Sequence, residues 1–305
     1  MAIHRYGGPE VLEPTELPDP KIVPDFVLVR MHAAGVNPVD WKIREGYLDR
    51  GFYVHFPLVP GWDVAGVVEA VGPSVSGFAV GDEVIGYVRR DEIQHGTYAE
   101  LVPAPERTLA ARPTSASWVE AAGLPLAGLT AWQALHAVAV GPDDTVLVHA
   151  AAGGVGHLGV QLARLLGAAR VIGTASERNH DFLRDLGAEP VEYGDGLADR
   201  VRALAPDGVD AVLDFVGGAA LPVSFELART PERVVSITAA ATVKESGGRY
   251  VFVRPDAADL TALTRFVDEG RLTVHIERVF PLSAAADAQR LVQAGHVRGK
   301  VVLER

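Results

Sequence analysis

The stretch His149–Gly167, HAAAGGVGHLGVQLARLLG, decides how this chain folds. It follows the apolar run Thr145-Val146-Leu147-Val148, and three glycines fall among the four residues Gly153 to Gly156. A buried strand, a glycine-rich turn and a helix start together make an anion site. Free N–H groups and the positive end of the helix dipole face a phosphate, and glycine lets the backbone come close. Two registers are open. Gly154-x-Gly156-x-x-Gly159 has the common spacing but begins beyond the strand end at His149-Ala150. Ala150-x-x-Gly153-x-x-Gly156 begins where the strand stops, and placement favours it. Ala150, Gly153, Gly154, Val155 and Gly156 then surround the phosphates, and Gly159 lies inside the helix. A plain strand-to-helix turn, with glycines only for packing, is the competing reading.

The surrounding pattern supports the phosphate reading. Strands at 145–150, 170–174, 190–193, 209–216 and 233–238 alternate with helices at 154–167, 177–187, 196–205 and 219–229. Such alternation predicts a parallel sheet covered on both faces. A further strand is expected at Tyr250–Arg254, then a helix at Pro255–Glu269. Upstream, residues 1–115 read as short strands such as Phe26–Met31, Asp63–Ala70 and Glu83–Val88, punctuated by Gly and Pro. The tail 271–305 carries strand, helix and strand, and cannot extend the nucleotide sheet in simple order. It is expected to fold back onto the N-terminal half.

The nucleotide follows from the second strand. An NAD site places a carboxylate about 20 residues on, at the ribose 2′-OH. Here the strand Arg170–Thr174 runs out into Ala175-Ser176-Glu177-Arg178-Asn179, with no acid at its tip. Ser176 and Arg178 suit a 2′-phosphate, with Tyr193 at the next strand end in reach. Glu177 suits the first turn of a helix. This predicts NADP(H). Gly217, at the end of the strand 209–216 (Asp214-Phe215-Val216-Gly217), belongs to the same carboxyl edge of the sheet.

Composition closes off other classes. The chain has 305 residues, enough for two domains, and a formal net charge of −11, against sequence-independent nucleic-acid binding. No apolar run approaches the length needed to cross a membrane, and the opening residues MAIHRYGGPEVLEP lack an apolar core, so a cytoplasmic protein is expected. There is no cysteine, hence no disulfide, no thiolate metal site and no cysteine nucleophile. The ten histidines show no metal-ligand spacing.

Eight stretches now carry a family resemblance: YGGPEVL (6–12), AAGVNPVDWKIREG (33–46), VPGWDVAGVVEAVG (59–72), GDEVIG (81–86), GTYAEL (96–101), AGLTAWQAL (127–135), VHAAAGGVGHLGVQLARLLGA (148–168) and HVRGKVVL (296–303). The chain resembles the medium-chain dehydrogenase/reductase superfamily, and within it the zinc-independent quinone oxidoreductase (zeta-crystallin-like) branch. The resemblance implies an α/β protein with two domains. One is a GroES-like β-rich catalytic domain, 1–117 completed by 256–305; the other is a Rossmann doubly wound parallel-sheet domain, 118–255. It also implies a homodimer and metal-free hydride transfer from NADPH to a quinone or α,β-unsaturated carbonyl.

Departures from the zinc enzymes of the superfamily support the last point. Asn37 stands where those place a cysteine, and Gly61-Trp62-Asp63 where they have Gly-His-Glu, so no catalytic zinc is expected. The catalytic candidates are Asn37, Lys42 and Tyr47. Asn37 also reads as an Asn-Pro turn residue, and Lys42, which replaces a frequent Tyr, as a surface lysine. By the same resemblance Thr130 faces the nicotinamide, the backbone of Phe252 and Val253 holds the carboxamide, and Lys300 reaches the cofactor. Two other functions stay open on the sequence: an enoyl reductase or tailoring enzyme of a biosynthetic pathway, and a non-catalytic NADP(H)-binding sensor.

Overall fold

The computed structural model describes residues 1–305. The N-terminal part runs β1 (Phe26–Val36), α1 (Pro38–Arg44), β2 (Tyr53–Val59), β3 (Asp63–Val71), β4 (Glu83–Tyr87), β5 (Glu92–His95), β6 (Leu101–Pro105) and β7 (Leu109–Ala111), then α2 (Trp118–Gly123) and α3 (Pro125–Ala137). An alternating part follows: β8 (Thr145–Val148), α4 (Gly156–Leu165), β9 (Arg170–Thr174), α5 (His180–Asp185), β10 (Glu189–Val191) and α6 (Leu197–Leu204). It continues with β11 (Ala211–Asp214), α7 (Ala220–Leu227), β12 (Val234–Ser236), α8 (Ala240–Glu245) and β13 (Arg249–Tyr250). The tail holds α9 (Ala257–Asp268), β14 (Ile276–Pro281), α10 (Ala285–Gln293) and β15 (Lys300–Glu304).

The chain divides into two compact units, the first made of Met1–Leu129, Arg254–Gly270 and Val274–Arg305. Its main sheet runs β14-β15-β1-β3-β4-β7, with β6 also on β1. β1 can serve three partners because it is eleven residues long and bends at register shifts after Leu28 and Met31. It pairs β6 over Phe26–Arg30 and β15 over Ala33–Val36. The tail thus returns to the N-terminal body, as its position in the sequence requires. Val27, Val29, Met31, Ala33, Val64 and Val302 are fully buried in this core. α2 packs on β1 and β3, and its start is fixed by a capping box: Ser117 Oγ accepts from Glu120 N and Glu120 accepts from Ser117 N.

The second unit comprises Thr130–Val253 and Arg271–Thr273. Its six strands are all parallel, in the order β10-β9-β8-β11-β12-β13. The order reverses between β8 and β11, the crevice where ligands bind in doubly wound sheets. Leu147, Ile172, Val191, Val212 and Val234 meet Val201, Leu221 and Val243 in the buried core. The short segment 271–273 is held to α4 by an amide clasp: Thr273 N donates to Gln161 Oε1 (2.9 Å) and Gln161 Nε2 to Thr273 O (3.0 Å).

Most of the expected elements are shorter than the sequence pattern: the strands at 209–216 and 233–238 are Ala211–Asp214 and Val234–Ser236. The helix at 177–187 opens as a 3-10 turn, Glu177–Asn179, before α5. The strand at 250–254 shrinks to Arg249–Tyr250, because its only neighbour β12 is three residues long; Val251 N still reaches Ser236 O (3.1 Å), and pairing then stops.

Candidate active site

In the second unit the glycine loop is a tight turn. His149 N still donates to Leu213 O (2.9 Å), so the chain stays tied to β11 past the end of β8. Ala150 then takes a left-handed conformation, φ 52°, rare for a residue with a side chain. Thr174 holds it there: Ala150 N donates to Thr174 Oγ1 (3.1 Å) and Ala151 N to Thr174 O (2.9 Å). Gly153 N closes the turn on Ala150 O (2.9 Å). α4 begins at Gly156, where a Cβ would lie 2.2 Å from Ala150 O and 2.7 Å from Ala151 Cα. At Gly153 a Cβ would sit 3.3 Å from Ala150 O. Gly159 lies inside α4 against Phe215. This geometry follows the Ala150–Gly153–Gly156 register, with Gly154 and Val155 at its centre.

No side chain caps α4 and its first turn carries no acid, so nothing anionic of the protein's own competes for the helix start. The loop, with glycine where backbone meets backbone and an uncapped helix start beyond it, fits a dinucleotide pyrophosphate. Across the switch point, buried Asp214 accepts from Val216 N (3.1 Å), Gly217 N (2.7 Å) and Ser236 Oγ (2.7 Å). That fixes the second loop, in which Gly217 has φ 72° and a Cβ would strike Thr238. His149 is buried beneath these loops, and burial pushes its imidazole down to about 4, against the pull of Asp214. It is neutral at physiological pH.

At the end of β9, Ser176 is half-buried and Arg178 exposed, both in or beside the 3-10 turn. Tyr193 is 57% exposed, on a loop that Arg200 braces by donating to Glu192 O (2.9 Å) and Asp195 O (2.8 Å). Phe252 is exposed and Val253 half-buried, just past β13; Thr130 is buried within α3.

The first unit holds a buried polar cluster. Asn37 stands at the N-cap of α1, before Pro38, and is 2% exposed. Its backbone N donates to Asp40 Oδ2 (2.8 Å), which also accepts from Tyr98 Oη (2.9 Å). In its side chain, Nδ2 donates to Asp63 Oδ2 (2.8 Å), and Oδ1 accepts from Lys300 Nζ. Lys300, 3% exposed, lies 3.9 Å from Asp63 Oδ2 and donates to Val36 O. Asp63 Oδ1 accepts from Leu126 N (2.8 Å) at the start of α3. Burial raises Asp63 to about 6 and Asp40 to about 7, and lowers Lys300; the opposite charges only partly offset this.

Of the residues singled out from the sequence, Asn37 and Lys300 are brought together here. Lys42 and Tyr47 form a different group. Lys42 Nζ lies 5.6 Å over the Trp41 ring, and Tyr47, 68% exposed, meets Trp41 edge to face. Trp62 is buried against Phe52 and Tyr87. Asp40, Asp63, Tyr98, Thr174 and Asp214 carry the hydrogen bonding, and for the two strand carboxylates the signal in the sequence is a lone acid in an apolar stretch, as in GWDVAGVV and AVLDFVGG.

The donor set around Asn37 does not fit a divalent metal. It offers one amide, and the ammonium of Lys300 already faces the one carboxylate that could join it. A cation placed there would meet a buried positive charge.

Asp40 makes a stability prediction. Burial raises its carboxyl from an ordinary 3.8 to about 7 in the folded chain, so the folded state holds an extra proton between those values. Stability therefore falls as pH rises through that window. Asp40→Asn carries no such cost, and its stability relative to the parent is expected to improve by about 1–3 kcal/mol between pH 5 and pH 8. Urea unfolding at both pH values checks this; a pH-independent difference contradicts it.

Residues 23–114 match the alcohol dehydrogenase GroES-like domain family, and residues 166–303 the zinc-binding dehydrogenase family. A chloroplast envelope quinone oxidoreductase homolog of Arabidopsis thaliana is 34% identical, over 98% of this chain and 95% of that protein. A chloroplastic NADPH-dependent alkenal/one oxidoreductase of the same plant is 36% identical, over 98% of this chain and 77% of its own. The solved quinone oxidoreductase of Coxiella burnetii superposes with a TM-score of 0.88 at 35% identity, covering 100% of this chain and 98% of that one. Both halves of the chain thus have counterparts in the same proteins, and this chain belongs to the medium-chain dehydrogenase/reductase superfamily, in its quinone oxidoreductase branch.

Proposed function

We propose that the chain is an NADPH-dependent reductase of quinones or α,β-unsaturated carbonyls. The observation that carries this is the loop Ala150–Gly156 at the switch point of a parallel sheet, with Ser176 and Arg178, not a carboxylate, at the end of β9. Relatives of the same build, named as quinone and alkenal/one oxidoreductases, support the acceptor class.

When bound, NADPH supplies a hydride, and the protein supplies placement. Ala150, Gly153, Gly154, Val155 and Gly156 hold the pyrophosphate, while Thr174 keeps Ala150 in its left-handed conformation. Ser176, Arg178 and Tyr193 take the 2′-phosphate, Gly217 shapes the opposite loop, and Thr130 with the Phe252–Val253 backbone orients the nicotinamide. Asn37 donates to the acceptor oxygen as charge gathers there; Lys42 and Tyr47 border the acceptor. The reaction is read as zinc-free, supported by the mismatch of the donor set at Asn37. A homodimer is part of this reading, supported by β13, which stands at the edge of its sheet with one side unpaired.

Purified protein is expected to oxidise NADPH with a small quinone or enone, at a rate that chelator leaves unchanged. Tight NADPH binding without turnover on a panel of both classes overturns the enzyme assignment. Arg178→Ala is expected to raise the KM for NADPH about tenfold and that for NADH little, since it removes one charge-assisted contact to the 2′-phosphate. Equal effects on both refute that contact.

A further inference from the structure

We infer that Lys300 is a positioning residue: its buried ammonium, with Asp63, locks the Asn37 amide in the orientation that turns its second Nδ2 hydrogen into a donor for the substrate oxygen. This rests on the reductase reading for its chemistry, but the device itself is a matter of the cluster's geometry.

An asparagine amide has two ends of nearly equal size, and only its partners decide which way it faces. Here Oδ1 meets the Lys300 ammonium and Nδ2 meets Asp63 Oδ2 (2.8 Å). Flipping the amide would set an NH2 against an ammonium and a carbonyl against a carboxylate, two charged mismatches at a residue 2% exposed. One orientation is therefore imposed. Asp63 is held by its other oxygen, which accepts from Leu126 N (2.8 Å), and it lies so close to Gly35 that a Cβ there would stand 2.9 Å from Oδ2. Lys300 is equally confined by Val36 O. Nδ2 has two hydrogens, and Asp63 takes one. A cation on the oxygen side and an anion on the nitrogen side also polarise the amide in the same sense, which strengthens the remaining N–H as a donor.

The chemistry needs a donor of that kind. When an enone accepts hydride, a C–H bond forms at the β-carbon and the C=C π bond breaks. The two electrons move to the carbonyl oxygen, leaving NADP⁺ and an enolate, which takes a proton from solvent. The charge that appears on oxygen is met by an N–H that itself loses no proton. Lys300 gives up no proton in this step and acts through Asn37: its contacts are Asn37 Oδ1, Asp63 and Val36 O, so it is read here as holding the amide where the resemblance implied a reach to the cofactor.

Three variants of the full chain test this. Lys300→Met keeps the length of the side chain and removes the charge. It is expected to slow single-turnover reduction of a quinone about tenfold or more, with NADPH Kd, from fluorescence titration, within about twofold of the parent. The exchange Asn37→Asp/Asp63→Asn keeps the hydrogen-bond path and the total charge, with Asp at 37 still facing Lys300 and Asn at 63 still facing Leu126. It is expected to fold and melt near the parent, yet lose the rate as Lys300→Met does. A third readout needs no acceptor: the side-chain NH2 resonances of Asn37 in ¹⁵N-labelled protein bound to NADP⁺, assigned by their loss in Asn37→Asp, are expected to lie away from the positions of a free asparagine amide and to move toward them in Lys300→Met. Unchanged lines in Lys300→Met, or a parental rate in the exchange variant, overturn the inference. If the parent reduces no quinone or enone, the reductase reading fails, while the NH2 lines still decide the device.

Discussion

Gly156→Ala is expected to weaken NADPH binding about a hundredfold, with the fold retained. The added methyl would lie 2.2 Å from Ala150 O and 2.7 Å from Ala151 Cα, both backbone atoms. Neither can rotate out of the way. Ala150 is held at φ 52° by Thr174, and Ala151 is hydrogen-bonded to Thr174 O, so the start of α4 must back off from β8. Overpacking of this kind costs about 1–3 kcal/mol, and the upper part of that range is about a hundredfold in affinity. The strain falls on the N–H groups that the proposed reading assigns to the pyrophosphate, so affinity is expected to suffer more than stability. Gly159→Ala is the internal control. Its methyl would meet the Phe215 ring at 3.0 Å, a side chain that can turn, and its affinity is expected to stay within about threefold of the parent. Fluorescence titration of both variants checks the pair; equal affinity for Gly156→Ala and the parent refutes the assignment of the loop.

The contrast between these glycines marks what the sequence could carry. The loop is local: a strand, a turn and a helix within about twenty residues, each with its own composition signal. Placement alone separated Gly156 from Gly159, and the alternation of elements led to the parallel sheet. Strand ends were less legible, because β13 is cut short by the brevity of its neighbour β12, a property of the pair. The cluster around Asn37 was least legible. Its hydrogen bonds join residues 26, 58 and 263 apart in the chain, and no periodicity or spacing reports such a meeting. Asn37 is singled out as the residue in place of the zinc enzymes' cysteine, and Lys300 as part of GKVVL, but nothing in either stretch couples them. Lys42 is singled out by the resemblance, as the residue in place of a frequent Tyr; the fold leaves it over Trp41 and buries Lys300.

Asp63→Ala is expected to destabilise the protein by about 3–5 kcal/mol, the cost of breaking a buried ion pair on one side. Three groups each lose one partner at once: the Asn37 amide, the Leu126 N–H and the Lys300 ammonium. The last dominates, because a buried amide finds water more cheaply than a buried charge does. The sign of the pH dependence identifies it. Burial already lowers Lys300, so between its folded and unfolded values the unfolded chain binds the extra proton, and stability rises with pH across that window. Removing Asp63 takes away the attraction that held the value up, so the window opens at lower pH. The deficit of Asp63→Ala is therefore expected to shrink as pH rises from neutrality toward 9.5. Adding Lys300→Met should then restore part of what Asp63→Ala lost, because the stranded charge is gone. Denaturant unfolding of the two single variants and the double variant closes the cycle, with a coupling of about 1–3 kcal/mol expected. Strict additivity would mean that the ammonium and the carboxylate do not sense each other across 3.9 Å, and the cluster would then be packing alone.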